Sequence, residues 1–311
     1  MIKVDLITGF LGSGKTTFLK KYVSHLLEMG ERVGILENDY GAINVDMLLL
    51  GELRSDNCEL EMVAGGCDAD CYRRRFKTKL ISMAMSGYTR VVIEPSGIFD
   101  ILDFYDTLRD DPLDNWYEIG SVFCIVDALI DTDMTEAAEY VLGTQIANSG
   151  CIIMSRVQEA TADELQKTKQ YLERVLCKLG GSLNTKIFAK DWDEITDSDY
   201  SELMKAGYKV MDLAKKYDFD DLEYESLYYL ESGLSIEEMQ DKAKRLLAYS
   251  GKIIRIKGFV QADESNWYEL NATRHDCTVN ITKQGQEVFI IIGENLNKEK
   301  ITQIMGVEAA V

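Results

Sequence analysis

The segment with the clearest chemistry is a glycine-rich run near the start of the chain, GFLGSGKTT at 9–17. It matches the pattern G-x-x-x-x-G-K-[ST], in which the glycines permit a tight turn whose N–H groups point at phosphate oxygens. Lys15 is expected to reach the β- and γ-phosphates, and the Thr16 hydroxyl is expected to bind Mg²⁺. The pattern therefore predicts a site for a nucleoside triphosphate and Mg²⁺, with the following binding residues: Gly12, Ser13, Gly14, Lys15, Thr16 and Thr17.

Two acidic residues at strand ends are candidates to complete this site. Glu94 ends the apolar run in RVVIEPSG at 90–97, where it would bind Mg²⁺, and the N–H of Gly97 would contact the γ-phosphate. Asp39 follows a second apolar run and could orient water or Mg²⁺, although Asp is also a common loop residue. We predict that Lys15, Asp39 and Glu94 are the catalytic residues.

A second chemical candidate is a pair of cysteines, Cys67 and Cys71, in a chain with seven cysteines and two histidines. If a helix starts near Asp68, a spacing of four residues places the two sulfurs on one helix face. With Asp68, Asp70 or Cys58, they could form a tetrahedral site for Zn²⁺ or another transition metal. Two other interpretations stay open, namely two small residues packed near the phosphate site and a redox-active dithiol.

The elements that position these residues follow from short apolar runs that alternate with helical patterns. Strands that are apolar throughout indicate a mainly parallel sheet covered by helices on both faces. We predict helices at Lys15–Met29, 68–86 and 161–179. The predicted strands of this part lie at 2–8, 32–37, 90–94, 121–127, 151–154 and 185–188.

Beyond residue 190 the pattern changes to a segregated order of strands and helices. A Tyr-rich strand at 222–231 is followed by a helix at 235–248, and a last helix is predicted from Asn297. Between these helices, further strands are predicted at 252–261, 267–272, 278–282 and 287–293. The fold class is thus α/β with a smaller α+β domain after it, and the predicted domains are 1–215 and 216–311.

The overall composition argues against some classes of binding partner. The formal net charge of -19 argues against non-specific binding to nucleic acid or to an anionic membrane surface. Neither a long apolar run nor an export signal is visible in the sequence, so the expected location is the cytoplasm.

Taken together, these segments resemble the CobW-like branch of the P-loop GTPases, which includes the HypB and UreG metallochaperone GTPases. GFLGSGKTT at 9–17, ENDYGAINVD at 37–46, GGCDADC at 65–71 and IEPSG at 93–97 resemble successive motifs of this family. FCIVDA, RIKGFV and FIIIGENL resemble its next strand and its carboxy-terminal domain. The resemblance implies a P-loop NTPase fold, GTP and Mg²⁺ as ligands, and a carboxy-terminal domain that binds a client protein or a second subunit.

The chain departs from the family pattern where guanine is read. The family has Asn-Lys-x-Asp at this place, whereas this chain has Ser155-Arg156-Val157-Gln158. An Asp carboxylate accepts hydrogen bonds from two guanine nitrogens, but a Gln side chain has one acceptor oxygen, a difference of roughly 1.5–3 kcal/mol. The resemblance places Arg156 among the nucleotide-binding residues, and the base stays open between GTP and ATP.

The cysteine motif is also altered, and the histidine-rich stretch of many relatives is absent from this sequence. The sequence therefore supports two functions. The first is a nucleotide-dependent metallochaperone or metalloenzyme-maturation factor that hydrolyses nucleotide slowly. The second is a regulatory or assembly protein that binds nucleotide without significant turnover and holds no metal. A P-loop kinase for a small molecule ranks behind both, because no acceptor-binding lid is visible.

Overall fold

The computed structural model describes residues 1–39, 50–64, 69–211, 213, 224–250, 252–274, 276–283 and 285–309. The chain divides into two compact units, 1–219 and 220–311. The boundary predicted from the sequence, near residue 215, lies outside the described residues.

The first unit is built on a seven-stranded sheet in the order β3-β2-β4-β1-β5-β6-β7. Every pairing in it is parallel, so the carboxyl ends of all strands meet at one edge. This confirms the predicted α/β class. The strands are β1 Ile2–Thr8, β2 Val33–Asp39, β3 Cys58–Ala64, β4 Arg90–Glu94, β5 Tyr117–Asp127, β6 Cys151–Ser155 and β7 Lys186–Phe188.

Helices cover both faces of this sheet, as the uniformly buried strands require. In α1, the residues Phe18, Tyr22 and Leu26 recur every four positions, and all are fully buried against one sheet face. The other face packs against a separate apolar cluster that includes Phe76, Leu80 and Phe104. The helices are α1 Lys15–Glu28, α2 Ala69–Ala84, α3 Ile101–Arg109, α4 Leu113–Trp116, α5 Glu136–Asn148, α6 Ala162–Lys178 and α7 Asp197–Leu203.

A buried charged cluster lies inside the first unit, on the central strand. Arg90 Nη1 donates to Asp5 Oδ2 at 2.5 Å, and the Tyr22 hydroxyl donates to the same oxygen at 2.7 Å. The other Asp5 oxygen accepts from the Ser121 backbone N–H at 2.7 Å. Burial, together with the neighbouring Asp5 charge, holds the pKa of Tyr22 well above its usual value. This carboxylate is therefore compensated by three donors inside the core.

The second unit contains a five-stranded antiparallel sheet in the order β11-β10-β9-β12-β8. One face packs against α8 and α9, and the core between them includes Met239, Phe289 and Ile301. Ser235 starts α8 with a capping box that it shares with Glu238. This confirms the smaller α+β domain. Its elements are β8 Tyr224–Leu230, α8 Ile236–Tyr249, β9 Ile253–Gln261, β10 Trp267–Ala272, β11 Cys277–Thr282, β12 Val288–Glu294 and α9 Lys298–Met305.

Two further observations concern the predicted class of protein. No helix in the described ranges is both long enough and apolar enough to cross a membrane. The six cysteines that the structure describes all carry free thiols.

Candidate functional site

The glycine-rich segment forms a tight loop between β1 and α1, at the edge where the strands end. Three of its glycines have positive φ: Gly9 at 145°, Gly12 at 80° and Gly14 at 98°. A Cβ on Gly9 would lie 2.3 Å from the carbonyl oxygen of Ile125 on β5, so the loop is packed directly on the sheet. All three positions need glycine for their conformation, and Gly9 needs it for space as well. The strand–loop–helix context predicted for residues 9–16, here named the phosphate loop, is observed.

The amino end of α1 is prepared for an anion. Gly14 is its N-cap and provides no side-chain capping bond, so the first N–H groups of the helix remain available for an external acceptor. Lys15 is buried, and the buried hydroxyls of Thr8 and Ser13 make no hydrogen bond within the described part of the chain. Thr17, the third residue of α1, is exposed. A phosphate chain at this loop would supply acceptors for these donors.

The predicted magnesium residues are brought together. Thr16 begins the first turn of α1, Glu94 ends β4 beside β1, and the Thr16 hydroxyl donates to Glu94 Oε1 at 2.8 Å. Glu94 is 3% exposed, which excludes a solvated strand-end role for this carboxylate. A hydroxyl and a carboxylate beside a phosphate site form the hard oxygen set that Mg²⁺ prefers. The residues present therefore fit the ion.

The segment after β4 lies against the phosphate loop. A Cβ on Gly97 would be 2.7 Å from the backbone nitrogen of Leu11, closer than any real Cβ approaches such an atom. Gly97 does not have positive φ, so the absence of a side chain serves close approach here and not an unusual conformation. Its backbone is therefore packed directly on the phosphate loop, and its contact with a γ-phosphate stays a prediction.

The structure adds one acidic residue that the sequence reasoning missed. Glu37 on β2 is the register partner of Glu94 on β4, and both side chains are 3% exposed. Ile35 and Val92, two positions earlier on each strand, both face the core that α1 covers. The two carboxylates thus share that face, with backbones about 4.8 Å apart. Their mutual repulsion favours a cation at this edge. An acidic residue at the end of an apolar strand was the available signal.

For Asp39, the third predicted catalytic residue, only the backbone is described. Asp39 is the last residue of β2, and its backbone pairs with Ala64 of β3. This brings its backbone to the same sheet edge as the phosphate loop. The structure describes the backbone of Asp39 but not its side chain. Its role therefore stays a prediction.

Of the cysteine pair, the structure describes one member. Cys71 lies in the first turn of α2 and is half-buried, whereas Cys67 and Asp68 lie outside the described residues. Within the described ranges, no group of three potential metal ligands from His, Cys, Asp and Glu is found.

The suggestion that Cys58 lies near this pair is wrong. Cys58 begins β3, six residues and about 20 Å of strand from the end that leads to α2. Burial raises the pKa of the Cys58 thiol to about 11, so it remains protonated in the core.

The segment in the place of the guanine-reading motif is held by an ion pair. Ser155 ends β6, and Arg156 follows with a left-handed φ of 53°. The Arg156 guanidinium pairs with Asp127 at the end of β5, with Nε donating to Oδ1 at 3.1 Å. Gln158 is exposed in a short 3₁₀ turn. The structure thus places Arg156 beside Asp127, an interaction that the sequence did not predict.

An aromatic side chain closes this end of the site. Trp192 lies so near the phosphate loop that a Cβ on Gly14 would be 3.2 Å from its ring, and Ser155 is a neighbour of the same point. The indole N–H donates to the carbonyl of Met154 at 3.0 Å, and the ring packs on Phe18 with centroids 5.5 Å apart. Trp192 therefore forms a fixed apolar wall between the phosphate loop and β6.

A parallel sheet, a glycine-rich loop that caps a helix, and a Thr–Glu pair beside it define a P-loop nucleotide-binding protein. The family models agree. The model for the CobW/HypB/UreG nucleotide-binding domain matches residues 3–180, and that for the cobalamin synthesis protein cobW C-terminal domain matches 231–307. The chain belongs to the CobW/HypB/UreG family.

Individual relatives are distant. The chain is 26% identical over 175 residues to the zinc chaperone YeiR of Escherichia coli, covering 56% of this chain and 52% of YeiR. It is 25% identical over 182 residues to the zinc chaperone YjiA of the same organism, covering 56% and 54%. The chain thus spans about half the length of the curated relatives it matches. The crystal structure of Zn(II)-bound YjiA GTPase from E. coli aligns over 98% of both chains, with 20% identity and a TM-score of 0.45.

Proposed function

We propose that this protein is a nucleotide-dependent metallochaperone that carries Zn²⁺ or another transition metal to a client metalloprotein or maturation partner. It binds a purine triphosphate with Mg²⁺ and hydrolyses it slowly. Family membership supports this proposal, and two of the relatives are named zinc chaperones. The functional division of the chain into a nucleotide-binding part at 1–215 and a partner-binding part at 216–311 belongs to the same proposal.

The observation that carries the proposal is that the phosphate loop and the helix with Cys71 both follow the carboxyl ends of strands of one parallel sheet. The phosphate loop follows β1, whereas α2, with Cys71 in its first turn, starts just beyond the end of β3. The sheet order places β3 three strands from β1, which is about 14 Å. A change at the terminal phosphate can therefore reach the start of α2 through the ends of the intervening strands β2 and β4.

Each residue has a proposed task in the nucleotide cycle. The N–H groups at Gly12–Thr17 bind the phosphates, and Lys15 contacts the β- and γ-oxygens. Thr16 and Glu94 hold Mg²⁺, which neutralises phosphate charge when bound. Gly97 donates its N–H to the γ-phosphate, and Asp39 orients the attacking water. Loss of the γ-phosphate releases Gly97, and this displacement alters the geometry at the cysteine pair.

The alternative is a regulatory or assembly protein that binds nucleotide without significant turnover and holds no metal. Its support is the segment at Ser155–Gln158, where the Arg156 guanidinium is paired with Asp127 and Gln158 replaces the Asp that would read guanine. Phosphate release with GTP and with ATP separates the two functions. Release no faster than that of Lys15→Ala would favour this alternative.

The test of the main proposal is zinc affinity as a function of nucleotide state. Competition with a chelating dye gives the Zn²⁺ Kd of the protein alone, with GDP, and with a non-hydrolysable GTP analogue. The proposal predicts that the two nucleotide states differ at least about tenfold, which is a coupling of about 1.4 kcal/mol. Cys71→Ser should weaken Zn²⁺ binding, whereas Cys177→Ser, an exposed cysteine on α6, is the matched control and should not. Equal affinities in all states would contradict nucleotide control.

The second unit is proposed to bind the client or a second copy of the chain. Its support is the family model for the C-terminal domain, which matches residues 231–307. A cytoplasmic location stays a prediction.

A further inference from the structure

A buried glutamine on α5 contacts the segment that lies on the phosphate loop. Gln145 is fully buried, and its side-chain Nε2 donates to the carbonyl oxygen of Gly97 at 3.1 Å. Its Oε1 is also buried and accepts no hydrogen bond from the described residues. A buried amide with one unsatisfied acceptor costs free energy that an apolar side chain of the same shape would not cost.

The helix that carries Gln145 is capped at its start and bonded to other segments at its end. Thr135 caps its start, where its hydroxyl accepts from Ala138 N at 3.2 Å. At its end, the Asn148 carbonyl accepts from the Tyr105 hydroxyl at 2.6 Å, and Asn148 Oδ1 accepts from Met211 N at 2.9 Å. The end of α5 that carries Gln145 is therefore held by hydrogen bonds to residues outside the helix.

Gly97 is contacted from two sides. The phosphate loop at Leu11 lies against its Cα, and Gln145 binds its carbonyl from α5. Any displacement of Gly97 away from the phosphate loop changes the distance to an anchored donor. The hydrogen bond therefore depends on the position of Gly97 against the phosphate loop.

We propose that Gln145 is a positioning residue that stabilises the triphosphate-bound position of Gly97. This inference rests on the proposed nucleotide site. Gln145 does not touch the phosphates, so it acts only through Gly97. A residue that favours one of two positions raises affinity for the ligand that needs that position and leaves the other ligand unaffected.

The test compares GDP with its non-hydrolysable triphosphate analogue, β,γ-imido-GTP, by fluorescence competition in the presence of Mg²⁺. Gln145→Leu is expected to weaken the analogue about three- to tenfold, the effect of one hydrogen bond, and to leave GDP within about twofold. Gln145→Met should act in the same way, because a thioether of similar size cannot donate to the Gly97 carbonyl. Thr144→Val is the matched control, since Thr144 is also buried on α5 but its hydroxyl donates to Val141 of the same helix.

A structural role would give a different result. Gln145→Leu removes the unsatisfied Oε1 but takes the donor away from the buried Gly97 carbonyl, so the two effects largely offset and the melting temperature of the nucleotide-free variant should stay near that of the wild type. A wild-type ratio of the two dissociation constants, including an equal loss of affinity for both nucleotides, would overturn the role of Gln145. It would leave the nucleotide site intact. Failure of the wild type to bind either nucleotide would overturn the proposed function itself.

Discussion

Gly97→Ala tests the contact between the switch-like segment and the phosphate loop. The added Cβ would lie 2.7 Å from Leu11 N and 2.9 Å from Leu11 Cα. Both are backbone atoms, and the phosphate loop cannot yield, because Gly9 is packed on the Ile125 carbonyl at a distance that admits no side chain. The segment with Gly97 must therefore move.

The size of the effect follows from these distances. An ordinary Cβ contact starts near 3.4 Å, so the 2.7 Å approach requires a shift of about 0.7 Å. A hydrogen bond of about 2.9 Å from the Gly97 N–H to a phosphate oxygen would lengthen to about 3.6 Å and be lost. A bond to a charged group is worth about 1.5–3 kcal/mol, which corresponds to about 10- to 100-fold in affinity.

The assay is the ratio of the two dissociation constants, for GDP and for β,γ-imido-GTP, measured by fluorescence competition with Mg²⁺. Gly97→Ala is expected to raise the Kd of the triphosphate analogue 10- to 100-fold or so, with GDP within about twofold. Gly143→Ala on α5 is the control, because its Cβ would meet the side-chain end of Leu179, which can rotate. A wild-type ratio in Gly97→Ala would refute the assigned contact.

Three further outcomes are expected. Gln158→Asp restores a second acceptor for guanine, so the preference for GTP over ATP should rise about 10- to 100-fold in calorimetry, and an unchanged preference would contradict this reading of the base site. Burial raises the pKa of Asp100, the N-cap of α3, to about 6, so its contribution to stability falls as pH rises from about 4 to 6. Asp100→Asn keeps the cap, and its free energy of unfolding should exceed that of the wild type by a margin that grows from about pH 4 to about pH 6, up to about 1–2 kcal/mol. Melting temperatures measured across this interval would show the margin. A margin that does not change with pH would exclude the burial of Asp100 as its cause. Arg90→Met leaves the buried Asp5 charge without its cationic partner and should cost about 3–5 kcal/mol in urea unfolding. Asp5→Asn in the double variant should recover part of this, because the neutral amide can still pair with Tyr22 and with the Ser121 N–H.

The parts of the site that the sequence predicted well are those encoded locally. The phosphate loop needs glycines at fixed spacing, a lysine and a threonine between a strand and a helix, and all of these lie within one short segment of the chain. Glu94 was predicted from its position at the end of an apolar strand. Its contact with Thr16 then follows from the parallel pairing of β1 with β4.

The strand β3 was not predicted, for a physical reason. It lies at the edge of the sheet, so buried and exposed residues alternate in its first part, as the exposed Glu59 and the buried Leu60 show. A strand that is apolar throughout is typical of the centre of a sheet, where helices cover both faces. An edge strand with alternating polarity does not meet that criterion.

Contacts between distant segments account for the other omissions. The Arg156–Asp127 pair joins residues on two strand ends, and the sequence offered no reason to prefer Asp127 over the nucleotide as the partner of Arg156. Glu37 and Glu94 are neighbours only through strand register. Gln145 belongs to no recognisable motif, and only the packing of α5 brings it to Gly97.

The central claim is that the amino end of α1, with Lys15, binds a purine triphosphate. Isothermal titration calorimetry of the wild type with GTP and with ATP, each with Mg²⁺, tests it directly. We expect one bound nucleotide per chain with at least one of the two, and no detectable binding by Lys15→Ala. Absence of heat from both nucleotides with the folded wild type would contradict it.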